Sequence, residues 1–199
     1  MALFRFPSEP PNRPLIRTQN LFLRAPQASD YSAWAVLRIE SREFLTPWEP
    51  TWNEDDLTRA SFRLRAKRAS REIASDEAYS LFIFEAHSEA LLGGLTLGLI
   101  RRGVAQACTL GYWMGKRHAG RGHMTEAVRG AVRFAFSELA LHRVEAACLS
   151  NNEPSRRLLE RVGFRHEGLA RAYLKINGAW ADHLLYAVLS NDALTGEKP

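Results

Sequence analysis

The stretch that most restricts what this chain can fold into is Gly115-Lys116-Arg117-His118-Ala119-Gly120-Arg121-Gly122-His123-Met124. Before it, Thr109 to Met114 is apolar and reads as the end of a strand. After it, Met124, Ala127, Val128, Ala131, Phe134, Ala135 and Leu139 recur at helical spacing, with Arg129, Arg133 and Glu138 on the other side. A strand that feeds a glycine loop opening a helix presents unpaired backbone N–H groups, reinforced by the positive end of the helix dipole. Such a junction is an anion site.

The spacing separates three uses of it. A Walker-type phosphate loop ends in Gly-Lys-Ser/Thr, whereas Gly122 is followed by His123 and Met124. A dinucleotide fingerprint needs a third glycine where Thr125 stands, although Glu145 lies at about the distance expected of a ribose-binding acid. The third pattern is Arg-x-x-Gly-x-Gly, and Arg117 to Gly122 matches it.

The location of charge says more than its sum. The formal net charge is +5, but residues 116–133 hold Lys116, Arg117, Arg121, Arg129 and Arg133 against Glu126 alone, so a polyanionic cofactor accounts for the excess as well as RNA does. A second basic group, Arg59, Arg63, Arg65, Lys67, Arg68 and Arg71, reads as a solvated helix face, with a non-catalytic RNA- or ribosome-binding module as the rival reading. Direct nucleic-acid binding is not expected. Glu43, Glu49, Glu54, Asp55 and Asp56 form an acidic segment that would attract a basic substrate. With 46% hydrophobic residues the chain can bury one sizeable core. Cys108 and Cys148 sit in apolar runs without ligand spacing, which predicts buried thiols and no metal site. No signal-like apolar stretch and no run of 18 apolar residues is present, so a cytoplasmic protein without a membrane partner is expected.

Taken in order, residues 1–14 read as an irregular proline-rich arm, 15–190 as one domain and 191–199 as a tail. A first strand is expected over Leu15 to Ala25, kinked at Thr18-Gln19-Asn20, then a helix from Tyr31 and a second from about Glu54 to Ser70. Strands follow at Tyr79 to Glu85, Leu91 to Ile100 with a bulge at Gly93-Gly94, and Ala105 to Met114. A helix over about Arg121 to Ala140 leads to a strand at Arg143 to Leu149. Asn152 and Pro154 open a short helix that Gly163 ends, and Asn177-Gly178 joins two closing strands. A hairpin followed by strand-helix-strand predicts a mixed α+β sheet.

The run from about Leu15 to Leu189 resembles the RimJ/RimL-type, ribosomal-protein N-acetyltransferase branch of the GNAT superfamily. Four stretches carry the likeness: Phe44-Leu45-Thr46-Pro47-Trp48-Glu49-Pro50; Leu110-Gly111-Tyr112-Trp113-Met114 with the glycine loop; Leu141 to Ala146 with Asn152-x-x-Ser155-x-x-Leu158-Leu159-x-x-x-Gly163-Phe164; and Ile176-Asn177-Gly178-Ala179-Trp180-Ala181-Asp182-His183. The resemblance implies a mostly antiparallel sheet of six to seven strands flanked by helices. Its fourth and fifth strands splay apart around acetyl-CoA, and the protein would be a monomer or homodimer. Backbone amides of Arg117, His118, Ala119, Gly120, Arg121, Gly122, His123 and Met124 would hold the pyrophosphate. The edge of Tyr112, Trp113 and Met114 would pair with the pantetheine, Asn152 would fix it, and Ser155 would supply a proton or hydrogen bond to the departing thiolate.

Many relatives place a glutamate on the fourth strand; Ala107 to Tyr112 contains none. That leaves Glu49, Glu85, Tyr173, Asp182 and His183 as bases, and the prolines around Glu49 favour it, with Trp48, Glu49 and Tyr173 against the acceptor. A protein α-amine of pKa 7.7–8.0 is about 10% neutral at pH 7, whereas a lysine is well under about 0.1% neutral. The missing base therefore points to the N-terminus of a basic polypeptide, such as a ribosomal protein with N-terminal alanine. A small-molecule amine is the alternative acceptor.

Overall fold

The computed structural model describes residues 15–192, so the predicted N-terminal arm and the end of the predicted tail lie outside the described residues. Eight strands form one sheet: β1 (Ile16–Arg17), β2 (Leu21–Arg24), β3 (Tyr79–Glu85), β4 (Leu91–Arg101), β5 (Ala107–Met114), β6 (Arg143–Leu149), β7 (Arg165–Ile176) and β8 (Ala179–Leu189). Their order is β1-β2-β3-β4-β5-β6-β8-β7. The count exceeds the expected six to seven because the predicted kink is a full turn, closed by Thr18 N donating to Leu21 O at 2.9 Å, that divides the first strand in two. Every neighbouring pair is antiparallel except β5 and β6. A parallel pair needs a crossover, and helix α4 (His123–Ser137) supplies it.

The other helices are α1 (Tyr31–Glu40), α2 (Arg42–Leu45), α3 (Arg59–Ala74) and α5 (Glu153–Val162). They cover both faces of the sheet. On one face Met124, Ala127, Val128, Ala131 and Ala135 of α4 and Leu159 and Val162 of α5 pack on Leu81, Ile83, Leu95, Leu97, Cys108, Leu110, Val144 and Tyr186. On the other, Trp34 and Leu37 of α1 and Phe62 of α3 pack on Phe82 and Phe84. Strand β3 is accordingly apolar on both sides over Leu81 to Phe84, the pattern of a strand covered by helices above and below.

Two elements depart from their predicted limits for local reasons. Helix α3 starts at Arg59 rather than near Glu54, because Thr58 accepts Ser61 N at 3.2 Å as the N-cap. Asp56 meanwhile takes Asn53 N at 2.7 Å and holds the preceding residues in a turn. The bulge expected at Gly93-Gly94 falls one residue earlier, at Leu92, between the pairs Ile83–Gly93 and Phe84–Leu91; the two glycines stay in register, and close approach is the reason for them. A Cβ on Gly93 would lie 2.3 Å from Trp113 O, and one on Gly94 2.5 Å from Trp113 Nε1. Glu145, the would-be ribose ligand, is spent on Arg101 and on Arg143, the latter at 2.9 Å. Among the described residues no helix is long and apolar enough to cross a membrane.

Candidate active site

Strands β5 and β6 pair only from Ala107–Arg143 to Leu110–Ala146. Beyond that, Gly111 to Met114 are paired with β4 alone and Ala147 to Leu149 with β8 alone. The two strands part as expected, the fourth and fifth of the sequence reading being β5 and β6 here. Their facing edges carry N–H and C=O groups that an extended ligand can pair with as an added strand. Between them opens a cavity of about 540 Å³, lined by Tyr112, Trp113, Met114, the loop from His118 to Thr125, Asn152, Ser155, Trp48, Glu49 and His183.

The loop reaches the cavity through two left-handed residues, Gly120 at φ +75° and Gly122 at φ +84°, and Gly122 caps α4 without a side-chain bond. The amides of His118 and Ala119 close the short turn at Lys116–His118 by donating to Gly115 O and Lys116 O, and Lys116 N donates to Ser41 Oγ. The donors left for an anion therefore run from Gly120 to Thr125. Among the described residues no acceptor takes these six N–H groups. His118 and Ala119 contribute to the lining instead. Burial, and then the charges of Arg117, Arg121 and His123, hold the His118 pKa below its ordinary value. Arg117 itself is off the lining and pairs with Glu40 at 3.1 Å.

At the other end of the cavity Tyr112 of β5 and Ser155 of α5 share a hydrogen bond, Oη to Oγ, of 2.6 Å across the gap. Burial raises the Tyr112 pKa, against the lowering by Ser155, so the phenol stays protonated at neutral pH. Asn152 Oδ1 accepts Ser155 N at 3.2 Å and is the N-cap of α5. Capping uses the Ser155 main chain, which leaves its hydroxyl for the cavity. Cys148 is a free, buried thiol, its pKa raised by burial.

Glu49 borders the cavity with its carboxylate fully engaged. Arg38 donates to it twice, at 2.8 and 2.6 Å, and Trp52 Nε1 donates at 2.9 Å. Arg38 is in turn sandwiched between the rings of Trp52, 4.1 Å from its centroid, and Trp113, 4.8 Å from its centroid. Asn177 N of the β7–β8 hairpin donates to Glu49 O at 2.9 Å, tying hairpin and loop together. Of the other potential bases, Glu85 lies at the β3–β4 turn bonded to Ser88, and Asp182 accepts Ala172 N at 2.7 Å. Tyr173 is off the lining, 46% exposed, edge-on to His183. His183 lines the cavity and is 3% exposed.

An acetyltransferase (GNAT) domain model matches residues 20–165. The chain belongs to the GNAT family of acetyltransferases. It is 37% identical over 178 residues to Probable N-acetyltransferase YjcK of Bacillus subtilis (strain 168), covering 89% of this chain and 98% of that one. It is 33% identical over 189 residues to [Ribosomal protein uS5]-alanine N-acetyltransferase of Escherichia coli (strain K12), covering 93% and 96%. Among solved structures, Mycobacterium smegmatis RimJ in complex with CoA-disulfide superposes with a TM-score of 0.81 at 32% identity, covering 85% of this chain and 81% of that one. A GNAT sheet that parts between its two middle strands, with free amides at one end of the gap and a hydroxyl pair at the other, is what the chain presents. Sequence reasoning missed the Tyr112–Ser155 bond and the Arg38–Glu49 pair. Strand parity carried a signal for the first: Cys108, Leu110, Tyr112 and Met114 share a face, the one α5 covers.

Proposed function

We propose that this chain transfers the acetyl group of acetyl-CoA to the N-terminal α-amine of a basic polypeptide, such as a ribosomal protein, in the cytoplasm. The observation that carries the reading is the run of six unclaimed amides, Gly120 to Thr125, opening on a cleft that ends at Tyr112 and Ser155. Bound there, acetyl-CoA supplies the activated thioester. Gly120 to Thr125 hold its diphosphate, the inner edge of Gly111 to Met114 aligns its pantetheine, and the Tyr112–Ser155 pair protonates the departing thiolate. Asn152 keeps Ser155 in place by capping α5.

The choice of acceptor is supported by the E. coli relative, whose name specifies an alanine of a ribosomal protein, and by the absence of a carboxylate on β5. An α-amine is partly neutral at neutral pH and asks little of a base. Exposed Glu43, Glu54 and Asp55 remain to gather a basic chain. Glu49, held by Arg38, stiffens the cavity wall beside Trp48 and Trp113.

The test is acetylation of basic peptides with free N-termini, beside a panel of small amines, mapped by mass spectrometry. α-Acetylated peptide is the expected product. Acetyl groups found only on lysine side chains or only on small amines would overturn the acceptor.

A further inference from the structure

Strands β7 and β8 slip register at two places, between His166 and Gly168 and, more widely, between Ala170 and Leu174. Between Ala170 and Leu174, Arg171, Ala172 and Tyr173 stand opposite Asp182 alone. This bulge is strained: Ala172 has φ +45°, a conformation that costs a residue with a Cβ about 1–2 kcal/mol. It is held by Asp182 Oδ1, which accepts Ala172 N at 2.7 Å. Bulges re-aim side chains beside functional sites, and strain persists where the surroundings over-determine it. His183, paired with Ala170, adjoins this one. Tyr173 meets its ring edge-on, with centroids 5.9 Å apart, and its Nδ1 lies 2.9 Å from Ala181 O. A carbonyl only accepts, so a proton sits on Nδ1 and Nε2 is the ring nitrogen left to exchange a proton with the cavity.

The sheet places this ring opposite the hydroxyl pair. Leu184 and Tyr186 of β8 face the α4–α5 core, so His183, paired with Leu149 of β6 just beyond the point where β5 and β6 part, belongs to the other face. Tyr112 and Ser155 reach the cleft from the α5 side. A nucleophile approaching the thioester from the His183 side has a proton acceptor behind it, and the leaving sulfur has donors in front.

We infer that His183 is a catalytic residue, the group that takes the proton from the acceptor amine. This rests on the acetyl transfer proposed above and adds the base that reading lacks. As the amine nitrogen bonds to the acetyl carbon, the C–S bond breaks with its electron pair on sulfur. His183 Nε2 takes the nitrogen's proton and the Tyr112–Ser155 pair gives one to sulfur. Water then returns the proton from His183 to that pair, so the sum is amide and free CoA thiol. Of the ionisable groups, Tyr173 of β7 touches the ring and Asp182 adjoins it on β8; Glu49, Tyr112, Cys148, His118, Arg121, His123, Arg157 and Arg161 line the same cavity.

The test is H183Q on the full chain, with the wild-type pH profile of kcat as reference. Expected is a fall in kcat of about 100-fold or more, a pH profile that differs from that of the wild type, and little change in CoA affinity by calorimetry. The ratio is read on whichever amine the wild type acetylates best, so a wrong acceptor does not disturb it. A wild type inactive on every amine overturns the proposed function and this role together. A wild-type-like kcat and profile in H183Q overturns the role alone. Nitrogen-15 NMR of the wild-type ring gives an answer independent of turnover and of whether H183Q folds: a neutral His183 protonated at Nε2 sinks the inference.

Discussion

Gly120 and Gly122 hold φ of +75° and +84°, and a Cβ at either would meet nothing within 4 Å. Replacing Gly122 with Val therefore costs stability through backbone strain alone, roughly 1–2 kcal/mol, while the new side chain occupies space in front of the free amides. Expected is a folded protein whose acetyl-CoA KM rises at least about tenfold; an unchanged KM would remove the diphosphate from this loop. Gly94 gives the opposite pattern of cause, since its Cβ would collide with Trp113 inside the fold. Ser155 separates two roles in the same way. Its backbone N–H serves the cap of α5 and its hydroxyl serves Tyr112, so S155A should keep the wild-type melting temperature and lose about 10-fold or more in kcat. Lost stability with full turnover would reassign the residue to the cap.

At the scale of elements, what was legible in the sequence is what adjacent residues decide. The glycine loop, the apolar stripe of α4, the Asn152 cap, Gly163 at φ +115° ending α5 and the Asn177-Gly178 turn at φ +44° and +82° are each specified within a few residues. The bulge at Arg171 to Tyr173 left no trace, because no glycine or asparagine marks it and Asp182, ten residues on, supports it. Arg38 escaped notice for the same reason: its partner Glu49 and the rings around it come from other elements. Non-local pairing also anchors α4. Glu126, in its first turn, accepts Thr18 Oγ1 at 2.6 Å, Asn20 N at 2.8 Å and Asn20 Nδ2 at 3.0 Å, tying the helix that opens the anion site to the β1–β2 turn. Burial pushes the Glu126 pKa up, but these donors outweigh it and hold the carboxyl below its ordinary range. A carboxylate whose pKa is depressed by folding stabilises above its unfolded value, near 4.3, and loses that contribution as pH falls through the folded value. E126Q should thus cost about 1–2 kcal/mol at neutral pH, and its urea midpoint should converge on the wild type as pH is lowered below about 4. A gap that stays constant into acid would show the carboxylate charge to be irrelevant.

At the scale of the molecule, one sheet carries two cores, and the gap between β5 and β6 is the place where the sheet has given up pairing. The aromatic core of α1 and α3 reaches the gap through Trp113, and the aliphatic core of α4 and α5 reaches it through Tyr112. A cofactor held at both ends of the gap, by the amides before α4 and by the edge of β5, replaces pairing that the protein lacks and braces both layers at once. Its binding energy therefore enters the stability of the whole domain, not of one loop. At free CoA about 100 times Kd, linkage adds about 2.7 kcal/mol; for a domain of this size each kcal/mol moves Tm by about 2–4 °C, so a shift of about 5–11 °C is expected in a single transition. Scanning calorimetry with CoA, with acetyl-CoA and with NAD as the control checks it. Equal shifts from NAD and CoA would return the loop to dinucleotide binding, and two transitions of which only one moves would show that the cleft does not couple the layers.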